Sequence, residues 1–167
     1  HRPWVKTWYD NRGREVRTES VGPDNVSLTS TTSYNSKGLV SGQTSAEGSL
    51  TLSTTYTYDS RGRVLTETAP GNDVTTYSYA GPQANSIVTS RVTVTHNGRS
   101  VTTAYDGWGG VVSVTDPSSQ NITYSYTSNG QPDSTTVGSI AYTFSYDAAG
   151  NRISFTDPDA GTTTYTY

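Results

Sequence analysis

The chain of 167 residues contains no cysteine and no methionine, and it has only two histidines, His1 and His96. Without thiols it can form neither a disulfide bond nor a thiolate metal site, and two isolated imidazoles make a zinc site a poor expectation. The 11 basic residues are scattered along a chain whose net charge is -3, so they do not form the basic surface that a phosphate backbone requires. We therefore expect no metal, no cofactor and no nucleic-acid partner.

Long apolar stretches are also missing. No segment approaches the roughly 20 apolar residues that a membrane-crossing helix needs. The first residues, His1-Arg2-Pro3-Trp4, lack the apolar core of a signal peptide. We expect no membrane insertion, and if the protein is exported we expect this chain to begin after the signal.

Threonine, serine and tyrosine dominate instead, with 30 Thr, 23 Ser and 13 Tyr. Leu, Ile, Val and Phe together are too few for a conventional packed core, but the low net charge argues against disorder. Good helix formers are scarce, whereas Thr, Val and Tyr favour strands. The composition predicts an all-β fold.

A repeat of 20 to 26 residues runs along the chain, each unit beginning with a tyrosine that precedes a turn. The units begin near Tyr9, Tyr34, Tyr58, Tyr79, Tyr105, Tyr126 and Tyr146. The unit at Tyr79 lacks the aspartate that follows the tyrosine in the best-matching units and is longer, so we expect a wider loop there, including Gln83 and Asn85. Repeats of this kind predict a single array over residues 1–167.

The turn after each tyrosine has its own signature. Aspartate at the first position and glycine at the fourth favour a hairpin turn with a bulge. The Asp side chain accepts hydrogen bonds from backbone N–H groups further along the turn, and Gly readily adopts the left-handed conformation. The predicted structural turn residues are Asp10, Gly13, Asp59, Gly62, Asp106, Gly109, Asp147 and Gly150. A second turn, such as Asp116-Pro117, follows about eight residues later, so each unit is predicted to hold two antiparallel strands. This gives roughly 14 or 15 strands in total.

Within these strands, large side chains alternate with small hydroxyl-bearing ones. Ile140, Tyr142 and Phe144 alternate with Ala141 and Thr143, for example. Because successive side chains of a strand point to opposite faces, one face is predicted to be apolar and tyrosine-rich and the other hydroxyl-rich.

The motif Tyr-Asp-x-x-Gly-Arg, followed by a short strand, Thr-Asp-Pro and Thr-Tyr-x-Tyr, resembles the YD repeat of Rhs proteins. That family includes bacterial wall-associated repeat proteins, the BC component of Tc toxins and, more remotely, teneurins. The resemblance covers essentially the whole chain. It implies about seven tandem two-stranded repeats in a twisted, coiling β-strip, which would form part of a shell or stalk in an exported bacterial protein. We expect the chain to be a piece of a longer protein and to act outside the cell or at its surface.

Catalysis is not expected. The aspartates recur at fixed turn positions, where building the turn explains them better than acid–base chemistry does. His96 precedes an Asn-Gly turn and does not indicate a Ser-His-Asp triad. The turn Asp157-Pro158 resembles the start of the autoproteolytic motif of Rhs proteins but lacks its leucine, so self-cleavage is not expected either.

Three tryptophans are the candidate binding residues. Trp4 and Trp8 alternate with Val5 and Tyr9, which predicts that both lie on the hydroxyl-rich face, and Trp108 lies in a turn. Exposed aromatic rings beside hydroxyl groups suit carbohydrate. The sequence therefore leaves three functions open: a structural segment, a carbohydrate-binding adhesin-like module, or a filament subunit whose free strand edges pair with copies of itself.

Overall fold

The computed structural model describes residues 4–21, 25–82, 84 and 86–167. All regular secondary structure in these residues is β-strand, which confirms the predicted all-β class. Among them there is accordingly no helix that is long and apolar enough to span a membrane. The chain divides into two compact units, residues 1–77 and 78–167, which are described separately. The single array over residues 1–167 stays a prediction.

The first unit is an antiparallel sheet whose strands pair in chain order. Each described hairpin joins one strand to the next, from the first pair through the sixth. Its strands are β1 (Trp4–Tyr9), β2 (Glu15–Val21), β3 (Ser27–Tyr34), β4 (Val40–Glu47), β5 (Leu50–Tyr58), β6 (Val64–Ala69) and β7 (Asp73–Ala80), of which β7 runs past the boundary.

The second unit repeats this arrangement, again with successive strands pairing antiparallel. Asn97 and Gly98 both have positive φ, as a two-residue hairpin requires. A wider loop is predicted before the strand that begins at Ser90; the described residues there, 81, 82, 84 and 86–89, are not in strands, and Gln83 and Asn85 lie outside the described residues. The strands are β8 (Ser90–His96), β9 (Arg99–Tyr105), β10 (Val111–Thr115), β11 (Asn121–Tyr126), β12 (Pro132–Val137), β13 (Ile140–Tyr146), β14 (Arg152–Asp157) and β15 (Gly161–Thr164).

The two faces of the strands differ as predicted. In β13 the side chains of Tyr142, Phe144 and Tyr146 are half-buried, whereas Thr143 and Ser145 are exposed. The rings of Phe144 and Phe155 stack across β13 and β14 with centroids 5.3 Å apart. On the other face, hydroxyl pairs bridge neighbouring strands, such as Thr57 with Thr66 at 2.6 Å, Thr93 with Thr102 at 2.8 Å and Ser145 with Ser154 at 2.6 Å. Such cross-strand pairs are the unit of sheet stabilisation.

Deep burial is scarce. Among the described residues the buried apolar side chains are Ala104 and Val112, both in the second unit. A sheet with so shallow a core depends on contacts between neighbouring strands and between neighbouring turns.

Candidate functional site

The turn that opens a repeat is built by one acidic side chain and one glycine. Asp10 Oδ1 accepts the backbone N–H groups of Arg12 at 2.8 Å and Arg14 at 3.0 Å. Gly13 has a φ of +74°, which a side chain rarely permits, and its N–H bonds the Asp10 carbonyl at 3.0 Å. The same backbone pattern recurs in turns that begin at Asn35, Asp59, Asp106, Thr127 and Asp147.

Directly after each of these turns the strand pairing shifts by one residue. The shift occurs where the tyrosine that opens the repeat meets its partner, for example where Tyr9 pairs with Glu15 and Tyr34 with Val40. It recurs at Tyr58, Tyr105, Tyr126 and Tyr146. A bulge of this kind increases local twist and re-aims side chains, so the repeat carries a built-in bend at a constant position.

The opening tyrosines tie successive repeats together. Tyr34 donates its hydroxyl hydrogen to the Glu15 carbonyl at 2.9 Å, and Glu15 is the residue that pairs with the previous repeat's Tyr9. Tyr126 likewise donates its hydroxyl hydrogen to the Val111 carbonyl at 2.9 Å. Equivalent bonds run from Tyr58 to the Val40 carbonyl and from Tyr167 to the Arg152 carbonyl. We call this set of bonds the tyrosine ladder.

An arginine after the turn strengthens the first junction. Arg14 makes an ion pair with Asp10 at 2.7 Å, and its guanidinium carbon lies 4.0 Å from the ring centroid of Tyr34 in the next repeat. Arg63 and Asp59 form the same ion pair at 2.7 Å. The backbone N–H of Arg14 lowers the pKa of Asp10, with help from its side chain and against partial desolvation. The backbone N–H of Arg63 lowers the pKa of Asp59 in the same way.

The side chain of the residue after a turn glycine also packs against the glycine of the next turn. An added Cβ on Gly38 would lie 3.2 Å from Arg14 Nη1, one on Gly62 would lie 3.4 Å from Leu39 Cδ1, and one on Gly150 would lie 3.4 Å from Gln131 Nε2. Gln131 also donates to the Gly150 carbonyl at 2.8 Å. At these three junctions the side chain after one turn glycine therefore contacts the following turn.

The turn at Asp106 does not contact the following turn in this way. The residue after its turn glycine is Gly110, which has no side chain, and an added Cβ on the next turn glycine, Gly130, would have no atom within 4 Å. A concave site of about 870 Å³ lies between these two turns. It is lined by Ile87, Asp106, Gly107, Trp108, Gly110, Val112, Tyr124, Ser125, Tyr126 and residues 127–130.

These repeats match a known family model. The model described as "Teneurin YD-shell" matches residues 2–129. The chain belongs to the teneurin YD-shell family. The predicted resemblance to YD repeats is thereby confirmed. A comparison with curated proteins gave no match.

Solved YD-shell-like structures share this fold. A Photorhabdus luminescens Tc holotoxin pore with a mutation in TccC3 superposes with a TM-score of 0.66 at 18% identity, covering 96% of this chain and 9% of that one. TcdB2-TccC3 without its hypervariable C-terminal region gives a TM-score of 0.61 at 15% identity, covering 99% of this chain and 11% of that one. The YD-shell chain described here thus spans about a tenth of the length of those chains.

Of the three predicted tryptophans, Trp4 and Trp8 lie in the first unit and Trp108 lies in the second. Lys6 lies between Trp4 and Trp8 on the same face of β1, and Trp8 is packed between Lys6 Nζ at 4.7 Å and Arg17 Cζ at 4.8 Å from its ring. Trp4 is 41% exposed, and Trp108, in the other unit, is 98% exposed. Carbohydrate binding by these residues stays a prediction.

The tyrosine ladder and the lack of a side chain at Gly110 were not among the features predicted from the sequence. Aligning the residue after each turn glycine would have revealed the gap, because the series Arg14, Leu39, Arg63, Gly110, Gln131 and Asn151 contains one residue without a side chain. In the described residues no cluster of His, Asp or Glu suits a metal ion, and His1 lies outside them.

Proposed function

We propose that this YD-shell chain is a non-catalytic structural segment of an exported bacterial YD/Rhs-repeat protein, forming part of the wall of a β-shell or stalk in a toxin-delivery or surface protein. The tyrosine ladder carries the proposal, because at four junctions it joins neighbouring repeats through backbone carbonyls rather than through variable side chains. A wall built in this way tolerates sequence change between its hydrogen-bonded positions. The Tc toxin neighbours and the chain's Thr- and Ser-rich, Cys-free composition support export.

The state of the turn carboxylates favours a structural role. Asp10, Asp59 and Asp147 accept backbone N–H groups two and four residues ahead, and hydrogen bonds from those residues lower the pKa of each. A glycosidase needs one carboxyl group whose pKa is raised so that it can donate a proton. In these three aspartates the pKa is shifted in the opposite direction, and their carboxylates already accept hydrogen bonds from their own turn.

Asparagine substitutions test the non-catalytic proposal. Asn35 builds its turn with the same two backbone bonds, to Lys37 N and Leu39 N, so Asp59→Asn and Asp147→Asn should keep the fold. We expect the wild type and both variants to be equally inactive on a panel of glycan and peptide substrates. A hydrolytic activity of the wild type that disappears in one variant with an unchanged melting temperature would overturn the proposal.

Carbohydrate binding by an adhesin-like surface is the second candidate, and the exposure of Trp108 favours it. Bare indole rings stack on sugars while nearby hydroxyl and amide groups bond them. A glycan array with the wild type, Trp108→Ala and a double Trp4→Ala, Trp8→Ala variant tests it. Absence of binding by the wild type at millimolar sugar would exclude this candidate.

Self-assembly into an extracellular filament is the third candidate. All four residues of β15 are exposed, as are Trp4, Val5 and Tyr9 of β1, and strands of this kind can pair with another copy. Light scattering after size exclusion, over a series of concentrations, separates the candidates. A constant mass near that of one chain excludes the filament, and mass that grows with concentration supports it.

A further inference from the structure

The concave site beside Gly110, called the socket below, holds the same types of group that surround Arg14 at the first junction. In the first unit the guanidinium of Arg14 lies between the Asp10 carboxylate, at 2.7 Å, and the ring of Tyr34, at 4.0 Å. Asp106 and Tyr126 occupy the same two repeat positions in the second unit. The residue between them is Gly110, which leaves both groups without that cation.

The two junctions share the hydrogen bond that anchors the tyrosine. Tyr34 donates to the carbonyl of the residue after Arg14, and Tyr126 donates to the carbonyl of the residue after Gly110, both at 2.9 Å. Both rings are thus anchored at the same point of the repeat. Tyr126 is 37% exposed, and Gly110 places no side chain over its ring where Arg14 lies over the ring of Tyr34.

The carboxylate of Asp106 is also available. Its Oδ1 accepts the backbone N–H groups of Trp108 at 2.9 Å and Gly110 at 2.7 Å. At Asp10, Asp59 and Asp147 the other oxygen, Oδ2, accepts a side-chain donor four residues ahead, at 2.8 to 2.9 Å. Within the described residues Asp106 Oδ2 has no such donor, since Gly110 has no side chain.

We propose that this socket binds the arginine side chain of a separate polypeptide segment, with Asp106 Oδ2 pairing the guanidinium and the rings of Tyr126 and Trp108 stacking on it. A guanidinium suits the site better than an ammonium, because it is planar, stacks on aromatic faces and is weakly hydrated. The site is larger than a single guanidinium needs, and Ile87, which is 71% exposed, adds apolar surface for the flanking peptide. This inference does not depend on the proposed structural function.

Peptide titrations monitored by NMR test the proposal. The probe is a capped Gly-Arg-Gly tripeptide, and the matched peptides carry citrulline, which has the same shape without the charge, or lysine, which has the charge without the plane. We expect the arginine peptide to shift the Trp108 indole and Gly110 amide signals with millimolar affinity. The citrulline peptide should bind at least about tenfold more weakly, because it lacks the charge for both contacts.

Three variants locate the binding. Gly110→Arg restores the side chain of the repeat and should abolish the shifts. Asp106→Asn keeps the turn, as Asn35 does in its own turn, and should weaken arginine binding to the level of citrulline. Arg14→Gly empties the first junction and should create a second arginine site, reported by the Gly38 amide. Unchanged signals from the Asn97-Gly98 hairpin control for folding.

Two results would overturn the proposal. One is arginine binding that survives in both Gly110→Arg and Asp106→Asn, or that citrulline equals. The other is a set of three observations: cellobiose shifts the same signals in the wild type, it does not shift them in Gly110→Arg, and the arginine peptide shifts no signal in the wild type. The second result would identify the socket as a sugar site.

Discussion

The junctions at Arg14 and at Gly110 share one framework and differ in one side chain. Both have an aspartate-led turn, a bulge and a tyrosine hydroxyl bonded to a backbone carbonyl at 2.9 Å. Only the first is covered by an ion-paired guanidinium. The ladder bond therefore forms without the arginine. The backbone sets the spacing of the repeats, and the residue after the turn is free to fill the junction or to leave it open.

Removing the ladder tyrosine should give the largest difference in stability between the two junctions. Tyr34→Ala removes a half-buried ring together with its contact to Arg14 and should lower the free energy of unfolding by about 2–4 kcal/mol. Tyr126→Ala removes a more exposed ring and should cost only about 1–2 kcal/mol. Urea unfolding of both variants measures the difference. Equal losses would mean that the guanidinium cover adds nothing to the packing of Tyr34.

Exchanging the side chains should convert each junction into the other. Arg14→Gly loses the stacking on Tyr34 and makes the unfolded chain more flexible, so it should destabilise by about 1–2 kcal/mol. Gly110→Arg should stabilise by about 0.5–1 kcal/mol. The gain is limited because a Cβ at this position would lie 2.9 Å from Asp106 Oδ2, so that carboxylate must rotate. Thermal melting checks both variants, and destabilisation by Gly110→Arg would show that the junctions are not equivalent.

The sequence alone predicts the framework because its determinants are local. Asp10 and Gly13 specify their turn by short-range chemistry, and alternation along β13 specifies its faces. The ladder partner of Tyr34, by contrast, is a backbone carbonyl 19 residues earlier, and every residue type carries a carbonyl. Trp8 lies opposite Arg17 across the first hairpin, a register that the predicted turn and bulge set, but the contact of the Arg17 guanidinium with the ring also depends on side-chain conformations that no sequence pattern specifies.

Removing only the ladder hydroxyl should affect the two junctions equally. Tyr34→Phe and Tyr126→Phe each lose one hydrogen bond to a carbonyl and should each cost about 0.5–1.5 kcal/mol. The rings stay, so the guanidinium contact of Arg14 is unaffected in the first variant. Chemical denaturation of the two variants side by side measures this. A clear difference between them would mean that Arg14 and the ladder bond act together.

The smallest effect should be the electrostatic one, because the Asp10–Arg14 pair is at the surface and screened by solvent. The pKa of Asp10 is lowered in the folded state from an ordinary value of 3.8, so its contribution to stability is complete above about pH 3.8 and is lost as pH falls through the lower folded value. The wild type should therefore exceed Asp10→Asn in free energy of unfolding above about pH 3.8, and this difference should shrink as the pH falls below that value.

The largest cause of the lowered pKa of Asp10 is the backbone N–H at position 14, which glycine also supplies. Arg14→Gly should therefore raise the pKa of Asp10 only part of the way towards 3.8. An NMR titration of the Asp10 carboxyl signal measures this. A full return would assign the shift to the guanidinium instead.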